Sequence, residues 1–343
     1  MAKKYRRPLL TFYLSRPPHR GDRGQDFRTL PEEVSPADEA LLDALIRDVL
    51  ARQSLVRSAL EDEDEARELT FVGSVTVEAG VEQVVESLRA SLGLSLEELR
   101  AARGADDAFQ LLRTRTEEAG VFVLLLGNLG SHHTDIDLET FRGFTIADAV
   151  APFIVLNDHD SHAAWSFTLL HELTHVWLGQ TGVSAGEPDR AVERFCNEVA
   201  AEFLLPGGEL PGFELPEPFE VEGAAHIIDE FASTRNLSRS MVAYRLYRLG
   251  HIGSGAWRQL SQYFRDRWLA QQHHRRERGL EAGAGPDYYV VRRHRLGSGL
   301  VEVTARLMFA GALTTSKAAR VLGVKPKNVG TLLGEYRAVG RAS

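Results

Sequence analysis

The sequence holds a single cysteine, Cys196, among 343 residues, so an internal disulfide is excluded. It also lacks any apolar run of the ~20 residues needed to span a bilayer. The opening MAKKYRRPLLTFYLSRPP runs into charge, not into a secretory hydrophobic segment. The chain is therefore read as cytoplasmic, with no membrane partner. No internal repeat stands out. At 43% hydrophobic it can bury a sizeable core and build two or three domains. The net charge of −8 is unevenly spread. Acidic runs such as LEDEDEARE (60–68) lie towards the middle. Basic clusters lie nearer the ends: KKYRR at the start, RDRWLAQQHHRRERG and VVRRHR between 265 and 295. That asymmetry permits DNA contact through the basic termini; solvated helix faces are the plainer reading of each cluster.

What is present is concentrated at 167–178, FTLLHELTHVWL. It carries His171, Glu172 and His175 as H-E-x-x-H. Residues four apart share a helix face, so the two imidazoles can aim at one point, as a zinc ion requires. Glu172, one step round the helix, is placed as a general base for a metal-activated water. Leu169, Leu170, Leu173, Val176 and Trp177 mark the helix as buried, and Gly179 offers its end.

A second helix is expected from about Pro188 to Leu205, stopped by Pro206, Gly207 and Gly208. Glu193 and Asn197 share one face of it. Two histidines plus Glu193 would leave one zinc position open, as in catalytic sites. The plainer reading of Glu193 is a solvated carboxylate, and Glu198 and Glu202 are available on the same helix. Small Ala200 and Ala201 would let the two helices approach closely. Cys196, on an apolar face, reads as a buried small hydrophobe and not a nucleophile.

FTLLHELTHVWLG followed by E-x-x-C-N-x-x-A-A-x-x-L-L-P resembles the ImmA/IrrE family of zinc metallopeptidases. FRTLPEE, RGFTIAD, APFIVLN, LSRSMVAYRLYRLG and AARVLGVKPKNVGTLL are similar to a long subtype that often carries an N-terminal helix-turn-helix domain. This chain opens about where such a domain would have ended, so a fused domain of that kind is not expected. The resemblance implies an α+β fold: a mainly helical zincin-like metallopeptidase core with a small sheet, plus a helical C-terminal region. It implies zinc as cofactor, with His171, His175 and Glu193 as ligands and Glu172 as the catalytic base. Asn197 is implied to pack between the helices or to support a ligand from behind. The implied substrate is a helix-turn-helix repressor protein, cleaved to derepress a stress, prophage or antiviral-defence operon. The competing class is a regulatory DNA- or protein-binding module, antitoxin-like, with a structural or vestigial zinc site.

The chain is expected to divide as 1–65, a basic arm and helix; 66–215, the metallopeptidase core; and 216–343, a helical C-terminal domain with a helix-turn-helix-like end. Arg16, Arg20, Arg23 and Arg28 stud the arm. Helices are expected at 35–60, 81–92, 96–102 and 109–118. Gly120-VFVLLLG and Pro152-FIVLN read as buried strands, with Phe144 and Ile146 in a third. In zinc peptidases a strand beside the metal binds substrate by β-addition, and the resemblance implies one here. Phe153, Ile154 and Val155 are the candidate substrate-binding residues on that ground. His132 and His133 are read as loop residues, and His159 and His162 as solvent-facing. Further helices are expected at 224–233, 238–249 and 300–309, with a stripe at helical spacing, Trp257, Leu260, Phe264, Trp268 and Leu269, read as core. The stretch TTSKAARVLGVKPKNVGTLLGEY has a helix-turn-helix pattern.

Overall fold

The computed structural model describes residues 36–181, 190–210, 213–281 and 287–334. The expected arm with its arginines, and Pro188, lie outside the described residues. So do the side chains of 272–281, within the RDRWLAQQHHRRERG cluster. Helix α1 (Pro36–Asp62) comes first, its buried Leu42, Leu45, Ile46, Val49 and Val56 falling at helical spacing. Then follow α2 (Val81–Leu92), α3 (Leu96–Ala101) and α4 (Ala105–Glu118). A reciprocal capping box between Ser95 and Glu98 starts α3.

Three short strands form one sheet: β1 (Phe122–Leu125), β2 (Gly143–Ile146) and β3 (Phe153–Leu156), in the order β1-β3-β2. β1 runs parallel to β3, and β2 antiparallel to it. Every residue of β1 and β3 is buried, as continuous apolar strands covered on both faces require. Alternate residues serve the two faces. Val123, Leu125, Ile154 and Leu156 join one core with α5 (His162–Trp177) and α6 (Arg190–Leu204). The same core takes in α7 (Val221–Ser233), α8 (Arg239–Arg248) and the start of α9 (Ser254–Glu281), through Ile228, Val242, Leu260 and Phe264.

Phe122, Leu124, Phe144, Ile146, Phe153 and Val155 face the other way, into a second core. There α1 meets α10 (Tyr288–Leu296), α11 (Ser298–Ala310), α12 (Thr315–Val321) and α13 (Pro326–Leu332). The C-terminal helices are thus shared between the two layers, with α10–α13 and α1 together backing the sheet. The architecture is the expected α+β, mainly helical with one small sheet. No helix among the described residues is long and apolar enough to cross a membrane.

The VVRRHR cluster is not a solvated face. It lies in α10, where Arg292 is buried and donates to the carbonyls of Leu322 and Gly323. Arg293 donates to Leu332 O and Thr331 O, and Arg295 pairs with Asp158 at 2.6 Å. These arginines fasten α12–α13 and the loop that precedes α5. Lys317, Lys325 and Lys327 remain exposed on the α12–α13 pair.

Candidate metal centre

From Trp165 to Trp177, α5 is buried on every side. A helix in that position has no solvated face, so His171, Glu172 and His175 need partners inside the protein. α6 packs against it and supplies them. Ala200 and Ala201 are fully buried, and their small side chains allow the close approach.

Three side chains converge. His171 Nε2 and His175 Nε2 lie 3.2 Å apart. Glu193 Oε2 lies 3.3 Å from the first, and Glu193 Oε1 3.4 Å from the second. All three residues are buried, and they form the one such donor group among the described residues. Zinc bonds of about 2.0–2.1 Å in a tetrahedron set donor atoms roughly 3.3–3.4 Å apart, so the spacing fits that ion. Glu193 Oε2 points the same way, because it is buried without a hydrogen-bond partner. An orphaned carboxylate oxygen in a protein interior is costly unless a cation takes it up.

The far sides of both imidazoles are also held by α6. Asn197 Oδ1 lies 3.0 Å from His171 Nδ1, so that nitrogen carries the proton and Nε2 keeps a lone pair for a metal. Cys196, one residue earlier, sits with Sγ 3.8 Å from His175 Nδ1. It is buried as expected, but it touches a metal-site histidine, which its apolar pattern does not reveal. Glu193, Cys196 and Asn197, at i, i+3 and i+4, thus share the face turned towards α5. Glu198 and Glu202 are occupied elsewhere, by Tyr244 and Arg248 and by Arg245 respectively.

Electrostatics favour a cation here. Burial alone would push the Glu193 carboxyl up, but the two neighbouring imidazoles outweigh it and bring it down to about 2. Burial also opposes charge on His175, but the Cys196 sulfur against its Nδ1, and after it Glu193 and Glu172, hold it well above the ordinary imidazole value. The adjoining Cys196 thiol is itself pushed up by burial.

Glu172 belongs to the same centre without being one of the three donors. Thr145 on β2 places its hydroxyl 2.8 Å from Glu172 Oε2. Neither Thr145 nor its neighbour Gly143 carries ligand chemistry, so nothing in RGFTIAD points to them as site residues.

The structure does not bring Phe153, Ile154 and Val155 to an open edge. They form β3, paired with β1 on one side and β2 on the other, so their backbone groups are spent within the sheet. The strand that borders α5 and has no strand on its other side, among the described residues, is β2. In an antiparallel ladder bonded pairs alternate, and Asn157 N donates to Arg142 O. Phe144 and Ile146 continue that series, so the backbone of Gly143 and Thr145 points away from β3. No strand among the described residues pairs with that edge. His132 and His133 are exposed on a short 3-10 helix (His132–Thr134) before β2, His159 lies near Asp135 and Asp158, and His162 meets Asp106. None of the four joins the centre.

Residues 119–247, from just after α4 into α8, match the family model described as Peptidase_M78, IrrE N-terminal-like domain. No curated protein and no solved structure matches the chain.

Proposed function

Since residues 119–247 belong to the IrrE N-terminal-like peptidase family, we propose that the protein is a zinc-dependent endopeptidase that cleaves a helix-turn-helix transcriptional repressor. The observation that carries this reading is the convergence of His171, His175 and Glu193 beside Glu172. Zinc held by those three residues would supply Lewis acidity, bringing the pKa of a water towards ~7 and polarising the peptide carbonyl. Glu172 takes the proton of the attacking water and returns it to the leaving amine. Gly143, on the edge of β2 that no strand among the described residues pairs with, would offer an extended peptide main-chain hydrogen bonds. Asn197 holds the His171 ring in the tautomer that ligation needs. Cleaving the repressor in the cytoplasm would derepress a stress, prophage or antiviral-defence operon. The buried, hydrogen-bonded Glu172 favours this over a purely structural metal site, which has no use for a carboxylate in that place.

The test is co-expression with the repressor encoded beside the gene, under inducing stress, with wild type and Glu172→Gln compared by blot. Loss of a general base costs ~10²–10⁴-fold, so fragments should appear with wild type and practically vanish with the variant, while zinc content and repressor binding persist. A protein that acts by binding alone would leave repressor level and reporter output equal in both.

A further inference from the structure

Gly143 and Thr145 are two apart on β2, so they turn the same side towards α5. Thr145 is fully buried, its hydroxyl 2.8 Å from Glu172 Oε2 and 3.0 Å from the Glu172 carbonyl oxygen. An ionised carboxylate only accepts, so the hydroxyl donates to it. Two residues earlier, a Cβ added at Gly143 would lie 2.8 Å from Glu172 Oε1 and 3.0 Å from its Cγ. Thr168 Cγ2, at 2.9 Å, would crowd it as well. One residue of β2 thus grips the Glu172 side chain, and the other makes room for it.

We propose that Thr145 and Gly143 are positioning residues for the base. Thr145 anchors the carboxylate through Oε2, and the missing side chain at 143 lets the Oε1 side lie close to the strand. The strand with the unpaired edge beside the centre thereby also sets the base. This rests on the reading of Glu172 as the base and of the centre as a zinc site.

The probe is acetohydroxamate, which chelates zinc and hydrogen-bonds to a neighbouring carboxylate. Its affinity for the zinc-loaded full chain, measured by calorimetry, reads the position of Glu172 without any turnover. Hydrogen bonds to charged groups are the strong ones, so Thr145→Val and Gly143→Ala should each bind about 10-fold more weakly or worse. Thr145→Ser, which restores the donor, should stay within about 3-fold of wild type. In a Glu172→Gln background the effect of Thr145→Val should shrink to about 2-fold or less, because Thr145 acts through Glu172. Wild-type affinity in Thr145→Val, or an undiminished effect in the Glu172→Gln background, would overturn the inference. Should Thr145→Val fail to fold, Gly143→Ala decides by the same affinity. A wild type that takes up no zinc would instead overturn the underlying zinc reading.

Discussion

The two edges of the sheet are treated in opposite ways. At the β1 edge, Arg113 is buried and donates to Val123 O at 2.5 Å and to His294 O at 2.6 Å. Its charge is matched by buried Glu117 at 3.0 Å, which also accepts from the Ser298 hydroxyl and Gly299 N. Helices α4, α10 and α11 are thereby fastened over the strand, and the edge is closed. At the β2 edge the outward backbone of Gly143 and Thr145 meets no strand among the described residues, and the buried groups behind it are Glu172 and three convergent donors. An open edge invites unwanted pairing with other chains, and proteins ordinarily cover or charge it. β2 is unpaired on that side but not bare: Thr145 is fully buried and Gly143 only partly exposed, so the extended peptide proposed as its partner would meet the edge first at Gly143. Burial of charge thus takes two forms here. At β1, carbonyls and a carboxylate answer the guanidinium; beside β2, a carboxylate oxygen is left for a cation.

Breaking the closed edge should have the largest effect on stability. Arg113→Met leaves Glu117 buried and uncompensated and should cost about 3–5 kcal/mol in denaturant unfolding. Zinc affinity of the fraction that remains folded should not change. Behind the unpaired edge, on α6, Asn197→Ala removes the acceptor that orients His171 and should weaken zinc about 10–100-fold in a chelator competition. The smallest effect is expected at Asp148, in the turn between β2 and β3. Its Oδ1 accepts from Val150 N and Ala151 N, while Oδ2 pairs with Arg57 at 2.6 Å. Burial alone would raise this carboxyl, but the two backbone N–H groups and Arg57 hold it below its ordinary value. A depressed folded pKa contributes stability above the unfolded value of ~3.9, which is lost as pH falls through the folded one. Asp148→Asn should therefore cost less than about 1 kcal/mol at pH 7, and the difference from wild type should disappear in acid.

The H-E-x-x-H helix and the Glu193 helix are legible in the sequence because each packs its chemistry into one local turn pattern. Periodic apolar residues place the helix at 81–92 to the residue. The start of α5 is less plain: the helix begins at His162, five residues before FTLLHELTHVWL. α10 is illegible for a physical reason. Its buried positions are Arg292 and Leu296, so no hydrophobic stripe marks it, and its arginines look like surface charge until the carbonyls they serve are known. The identity of the edge strand is equally hidden. VFVLLL and PFIVLN both read as buried strands, but which of them lies in the middle depends on pairings between residues far apart in the chain. Thr145 and Gly143 reach Glu172 only through that same long-range pairing.

Whether the unpaired edge borders a zinc centre is tested most directly by the metal content of purified protein after mild dialysis, by elemental analysis. One zinc per chain is expected in wild type and in Glu172→Gln, with most of it lost in His171→Ala, His175→Ala and Glu193→Ala. Full retention in Glu193→Ala, or a wild type without zinc, would contradict the assignment of His171, His175 and Glu193 as the ligands.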